Sequence, residues 1–285
     1  MSRTYGAANP TFTFTYTGLM NGETPATSGI VGTPWLSTPA VATSPIGNYP
    51  IYITPGTLLS SNYTFLFEGG TLTVDKAILY VTGDNKSRAY GALNPAFTVL
   101  YSGFVNGETL ATSGVTGTPA MSTPATVLSS VGTYDINPAI GTLAASKYDF
   151  VFVKGSLAVD KALITVTGDN KIRAYGSANP SFTASYNGFM NGETLATSGV
   201  TGAPAMSTIA TVTSGAGNYA INTTAGTLAS ANYKFSYVNG VLTVAKAVIS
   251  VTADDKSRIY GAANPTLTAT YNGFVNGESY ATSGI

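Results

Sequence analysis

Four glutamates sit in the same setting, Asn-Gly-Glu, at Glu23, Glu108, Glu193 and Glu278, each 85 residues from the last. A carboxylate fixed beside a tight turn is a candidate general acid or base, and glycoside hydrolysis would need a second carboxyl group about 5–10 Å away. The other acids that recur in three copies are Asp84, Asp169 and Asp254, with Asp255 adjacent, in TGDN and TADD segments. These aspartates read either as turn residues capping their own backbone or as candidate calcium ligands at a boundary between modules, since calcium takes several carboxylate and carbonyl oxygens. Lys76, Lys161 and Lys246 lie between apolar strands. A lysine so placed could cross-link to an asparagine side chain, or could simply guard a strand edge with its charge. The chain contains no histidine and no cysteine. Their absence removes the usual general base, the thiolate nucleophile, the disulfide and the commonest transition-metal ligand. The expectation is a protein that is not an enzyme, with no catalytic residues, the Asn-Gly-Glu carboxylates serving as turn residues, and no cofactor other than candidate calcium.

Thirteen basic residues balance thirteen acidic ones, so no net field collects nucleic acid. No apolar run reaches the roughly 18 residues of a spanning helix, and MSRTYGAANP contains nothing like the hydrophobic core of an export signal. The reading is therefore no membrane span in this segment, with the signal of an exported parent lying outside it. Threonine, tyrosine, valine and glycine are abundant, which favours short strands broken by turns.

Slid by 85 residues, the chain aligns on itself without an insertion. Tyr-Gly pairs recur at Tyr5, Gly6, Tyr90, Gly91, Tyr175, Gly176, Tyr260 and Gly261, and Asn-Pro pairs at Asn9, Pro10, Asn94, Pro95, Asn179, Pro180, Asn264 and Pro265. The shared motif is R-x-Y-G-x-x-N-P-x-x-T-x-x-Y-x-G-x-x-N-G-E-x-x-A-T-S-G. A period of 85 is too long for a solenoid unit and suits a small domain. In the second copy, AFTVLY and VGTYDI read as strands and Asn106-Gly107 as a tight turn. KYDFVFVKGSLAV reads as a hairpin, with Tyr148, Phe150 and Phe152 on one face, a turn at Lys154-Gly155 and Leu157 and Val159 returning; Gly69-Gly70 and Asn239-Gly240 are the matching turns.

Apolar alternation changes parity across Asp75-Lys76, Asp160-Lys161 and Lys246, which turns every side chain to the opposite face. The last strand of one module should then run straight into the first strand of the next, with no flexible linker, giving a semi-rigid elongated rod. Residues 75–159 and 160–244 read as complete modules, 1–74 as a partial module lacking its first strand, and 245–285 as a partial module holding its first strand and first half. Three periods with 30 residues over predict an array that starts and stops in mid-module.

The run YGxxNPxFTxxYxGFVNGET, with VGTY and a closing NYxFxYxNGxLTV, resembles the bacterial MBG domain of the YGX type over the whole chain. The resemblance implies an all-β or mostly β fold of small β-sandwich or β-grasp-like modules, arrayed in large bacterial surface or secreted proteins beside adhesive modules. It implies no catalytic residues. The function expected is a structural stalk or filament segment spacing an adhesive end from a cell surface, extracellular in location, with neighbouring modules of the same chain as partners. The alternatives are a self-assembling fibre of identical chains, or modules that each bind a host or cell-surface glycan or protein. Trp35, whose counterparts are Ala120 and Ala205, reads as an exposed candidate contact, because losing tryptophan from a packed core would cost about 3–5 kcal/mol. Asn62, Asn85 and Asn222 open Asn-x-Ser/Thr sequons.

Overall fold

The computed structural model describes residues 1–285 and consists of strands, turns and loops, with no helix. The first repeat contains β1 (Ser2–Thr4), β2 (Trp35–Ser37), β3 (Gly47–Thr54) and β4 (Gly70–Asp75). The second contains β5 (Ala77–Gly83), β6 (Lys86–Ala89), β7 (Val99–Ser102), β8 (Ala120–Ser122), β9 (Gly132–Ala139), β10 (Tyr148–Val153) and β11 (Gly155–Asp160). The third contains β12 (Ala162–Gly168), β13 (Lys171–Ala174), β14 (Ala184–Asn187), β15 (Ala205–Ser207), β16 (Gly217–Thr224), β17 (Tyr233–Val238) and β18 (Gly240–Ala245). β19 (Ser250–Ala253) and β20 (Ala269–Asn272) follow. The all-β repeated architecture expected from composition and motif is the one observed.

Two compact units divide the chain: Met1–Ser87, Pro95–Ala125 and Thr133–Ala158 form one, and Arg88–Asn94, Thr126–Gly132 and Val159–Ile285 form the other. The second unit holds the third repeat whole. Its two sheets have strand orders β14-β12-β17 and β13-β18-β16-β15, and β12 lies against β16 and β18. Both sheets are mixed: β12 pairs antiparallel with β14 and parallel with β17, and β18 pairs antiparallel with β16 and parallel with β13. Ile164, Val166, Ile221 and Leu242 are fully buried, as the alternation of apolar residues requires of strands with one face on a core. β19 and β20 pair antiparallel with each other.

In the first unit the first repeat forms the sheet β1-β4-β3-β2, and β5 forms the centre of a second sheet with β10 parallel on one side and β7 antiparallel on the other. β8 pairs antiparallel with β9. β4 ends at Asp75 and β5 begins at Ala77. Leu72 and Val74 are buried before this point and Ala77, Leu79 and Val81 after it, so the parity change occurs where the sequence places it.

The hairpin reading of the closing segment is overturned. β10 and β11 are separated by Lys154 alone yet do not pair, β10 joining β5 while β17 and β18 likewise enter different sheets. The glycine serves a crossing between sheets and not a turn. A Cβ on Gly155 would stand 2.3 Å from the Gly83 carbonyl oxygen, and one on Gly240 would stand 2.5 Å from that of Gly168, so only glycine admits the chain there.

Candidate functional site at the repeat junction

The Asn-Gly turns are built as their sequence demands. Asn106 and Gly107 have φ of 55° and 70°, and the Glu108 N–H donates to the Val105 carbonyl at 3.0 Å, a two-residue turn with both central residues left-handed. Asn21, Asn191 and Asn276 repeat the geometry. Beyond the turn, the Thr109 N–H donates to Thr112 Oγ1 and Ser113 Oγ donates to the Leu110 carbonyl, pinning the next bend. The glutamate is thus held at a fixed corner of the module.

Its partners come from two repeats. In the first unit, Glu108 Oε1 accepts from the Tyr5 hydroxyl at 2.8 Å and from Lys147 Nζ at 2.5 Å, while Oε2 accepts from the Tyr148 hydroxyl at 2.6 Å. Tyr5 belongs to the first repeat, and Glu108, Lys147 and Tyr148 to the second. In the second unit, Glu193 takes the Tyr90 hydroxyl on Oε1 at 2.6 Å and the Tyr233 hydroxyl on Oε2 at 2.5 Å, so its two oxygens again serve two different repeats. Glu278 takes Tyr175 at 2.5 Å, and Glu23 takes Tyr63 at 2.5 Å. In each pair separated by 103 residues, a Tyr-Gly of one repeat meets the Asn-Gly-Glu of the next.

The glycine after each tyrosine completes the contact. At Gly6, Gly91 and Gly176 the backbone has φ of 85°, 77° and 82°, and an added Cβ would lie 2.5, 2.4 and 2.5 Å from the Cβ of Val105, Met190 and Val275. Those are the residues immediately before each Asn-Gly turn. The Tyr-Gly loop is itself held by a buried arginine. Arg3 Nε donates to Asn9 Oδ1 at 2.7 Å and Arg3 Nη2 to the Val41 carbonyl at 2.5 Å, while Asn9 Nδ2 donates to the Ala40 carbonyl. Arg88 with Asn94, and Arg173 with Asn179, repeat the arrangement. The Arg, Tyr, Gly and Asn of the motif thus form one loop, aimed at the next repeat.

Around the first of these couplers the core is continuous between repeats. Tyr5 and Val74 of the first repeat cluster with Ala77, Leu79 and Tyr148 of the second, and Ile46, Tyr49, Phe104 and Val105 pack against them. Tyr5 and Tyr148 meet edge to face at 6.1 Å, and Lys147 Nζ stands 5.3 Å from the Tyr5 ring.

Burial and the hydrogen bond to Glu108 push the Tyr148 hydroxyl up, and the same causes at Glu193 push Tyr233 up to about 12. Burial works to raise Glu108, but hydrogen bonds from Lys147, Tyr148 and Tyr5 outweigh it and hold the carboxyl below its usual range. Lys147 is raised by its bond to Glu108. The arrangement holds one carboxylate between tyrosine hydroxyls of two repeats at Glu108 and at Glu193, with Lys147 added at Glu108.

The other sequence candidates stand apart from this site. Asp169 accepts hydroxyls from Thr183 and Ser185, Asp254 from Thr268 and Thr270, and Asp84 from Thr98, which ties each turn across its strand pair. No three acidic side chains gather to make a cation cage, and Asp255 is exposed beside Asp254. Lys76 pairs with exposed Asp149 at 3.3 Å and Lys161 Nζ donates to the Ser230 carbonyl. Trp35 is exposed on β2, pairing through its backbone with Thr54. Pro10, Pro95 and Pro180 are half-buried in the motif loops, whereas Tyr260, Gly261, Asn264 and Pro265 are exposed.

The sequence reading placed the Asn-Gly-Glu glutamates in turns and missed their partners. The available signal was that Tyr-Gly and Asn-Gly-Glu recur together, unchanged, in all four copies. The MBG domain (YGX type) family matches residues 1–73, 79–158, 164–243 and 249–284. Among curated proteins none matches the chain.

Proposed function

From the premise that the chain belongs to the MBG domain family of the YGX type, we propose that it is a spacer segment of a bacterial surface or secreted protein, whose repeats hold an adhesive end away from the cell. The observation that carries this reading is the coupler: the Tyr-Gly loops at Tyr5, Tyr90 and Tyr175 lock onto the Asn-Gly-Glu turn of the following repeat, and at Asp75-Lys76 strand runs into strand with a shared core. A chain that served only to tether would be expected to join its domains through flexible, polar linkers. Here the joint is instead built from buried Tyr5 and Tyr90, half-buried glutamates and the apolar side chains packed beside them, which suits transmission of position from one repeat to the next. The role is mechanical and needs no catalytic group.

Small-angle scattering on arrays of two, three, four and six repeats tests it. The maximum dimension is expected to rise by an equal increment per repeat. Growth closer to the square root of repeat number, the behaviour of a flexible chain, would sink the spacer reading.

A further inference from the structure

On the outer face of the sheet β1-β4-β3-β2, two aromatic side chains stand side by side. β2 and β3 pair antiparallel with Trp35 opposite Thr54 and Ser37 opposite Tyr52. Trp35 and Tyr52 therefore share one face as diagonal neighbours, with Cβ atoms about 7 Å apart. They are 68% and 54% exposed, whereas Ile51 and Leu72 on the opposite face are buried.

The same register recurs in β8 with β9 and in β15 with β16, where the two positions hold Ala120 with Asn137 and Ala205 with Asn222. Those repeats form the same four-stranded sheet, so the fold does not require the rings. Ala120 and Ala205 are exposed as well, so this corner of the module is open in repeats that have neighbours on both sides. One exposed aromatic residue is ordinary. Here alanine and asparagine give way together, in one repeat and at adjoining positions. Pro50, two residues before Tyr52 on the same face, also stands where the second repeat has charged Asp135.

The chemistry of the face selects its ligand. An aromatic ring has a negative face, which attracts the positively polarised C–H groups on the flat side of a pyranose. Tryptophan and tyrosine offer this surface at little cost in rotamer freedom, and each adds a polar tip that can meet a sugar hydroxyl. The Ser37 hydroxyl lies beside them, opposite Tyr52. No charged side chain occurs between Glu23 and Glu68, so β2 and β3 offer nothing to an ionic partner. We infer that Trp35 and Tyr52 form a binding platform for a neutral, β-linked polysaccharide, the two rings stacking beneath sugars of one extended chain. Equatorial linkages keep such a chain extended and its C–H faces accessible, which suits a flat sheet. The inference goes beyond the spacer reading and does not rest on it: one repeat carries a ligand site that the second and third lack.

Trp35 is the one tryptophan of the chain, so its fluorescence reports the platform directly. Titration of the full chain with cellohexaose, chitohexaose and β-1,4-mannohexaose is expected to give a saturable blue shift of its emission with at least one of them. Trp35→Ala and Tyr52→Asn install residues that the other repeats already use, so the sheet should stay intact by circular dichroism. Each should weaken binding by about tenfold in calorimetry. Ala205→Trp combined with Asn222→Tyr rebuilds the corner beside Ser207 and Thr224 of the third repeat, and should raise the stoichiometry from one site to two. No response to any of the three sugars overturns the inference. So does binding that survives both Trp35→Ala and Tyr52→Asn. An emission shift that follows protein concentration without sugar would assign the platform to a second copy of the chain. A shift with a polyproline peptide but with none of the sugars would assign it to a protein partner, and either result overturns the polysaccharide assignment.

Discussion

Replacing Tyr233 by phenylalanine removes one oxygen from a fully buried ring whose hydroxyl donates to Glu193 Oε2 at 2.5 Å and accepts from the Met190 N–H at 3.0 Å. Two groups lose a partner, one of them charged, so a destabilisation of about 2–3 kcal/mol is expected near neutral pH. The alkaline behaviour separates this bond from simple packing. Tyr233 is pushed up to about 12, chiefly by burial and then by its bond to Glu193, whereas in the unfolded chain it ionises near 10. Below about pH 10 the phenol is neutral in both states and contributes its full stabilisation. Above pH 10 the unfolded state releases the proton first, and stability falls until the folded phenol also ionises near pH 12, a total of about 3 kcal/mol. The other tyrosines titrate alike in both proteins, so the gap between wild type and Tyr233→Phe isolates this one group. In urea unfolding followed by circular dichroism, that gap should be widest at pH 8, narrower by about 1 kcal/mol at pH 11, and close to gone by pH 12. A gap that stays constant across this range would mean that Tyr233 ionises as a solvated phenol, and the coupler as described would be wrong.

Gly91→Ala and Gly261→Ala impose the same left-handed backbone strain, about 1 kcal/mol, but only the first drives a Cβ to 2.4 Å from Met190; its thermal destabilisation should exceed that of Gly261→Ala by about 1–3 kcal/mol. Glu108 is held below the usual carboxylate range, so its stabilisation is present at neutral pH and lost as pH falls through the folded-state value. Melting between pH 7 and 3 should show this acid loss, and Lys147→Met should reduce it. Gly240→Ala should cost about 2–4 kcal/mol in urea unfolding, because its Cβ would meet the Gly168 carbonyl oxygen at 2.5 Å where the chain crosses between sheets. Trp35→Ala, at an exposed position filled by alanine in the next two repeats, should move stability by less than about 0.5 kcal/mol by the same measurement.

The local rules of the chain were legible because they depend on near neighbours. Asn106-Gly107 announces a turn whose two residues must both take positive φ, and it adopts them. The parity change at Asp75-Lys76 announces that one strand runs into another with its faces exchanged, and Val74 and Ala77 are both buried. Lys154-Gly155 misled for an instructive reason. A glycine between two alternating runs is compatible with a hairpin and with a crossing between sheets, and the choice is made by Gly83, which approaches from 72 residues away. The role of the glutamates was hidden by distance of another kind. Read within one repeat, Glu108 has no cation or donor near it in sequence, and its first tyrosine lies 103 residues upstream in the preceding copy. Lys147, which strengthens the first coupler, is replaced by asparagine at Asn62 and Asn232, so no charge pattern shared by all repeats pointed to the site.

Near-identical neighbours pose a problem that the coupler answers. Any Tyr-Gly loop could in principle approach any Asn-Gly-Glu turn, and strands of one repeat could be exchanged for those of another. A carboxylate has two oxygens, and at Glu108 and Glu193 each is assigned to a tyrosine of a different repeat. A repeat docked out of register would leave a carboxylate without one of its donors, and an unsatisfied charged group away from water costs more than a lost neutral hydrogen bond. Correct succession is therefore favoured by a term that packing of tyrosine rings alone would not supply, since apolar contacts tolerate displacement. The chain concentrates this selectivity in one glutamate per repeat and keeps charges scarce elsewhere, with 9% of its residues charged, so few competing ion pairs exist to stabilise a misaligned joint. If that account holds, Glu193→Leu, which fills the seat with an apolar side chain, should leave the fold of each repeat intact by circular dichroism while raising the proportion of misjoined or strand-exchanged species on refolding, read by native mass spectrometry and limited proteolysis. Refolding as clean as that of the wild type would show that register is set by the strand junction at Asp75-Lys76 and its counterparts alone.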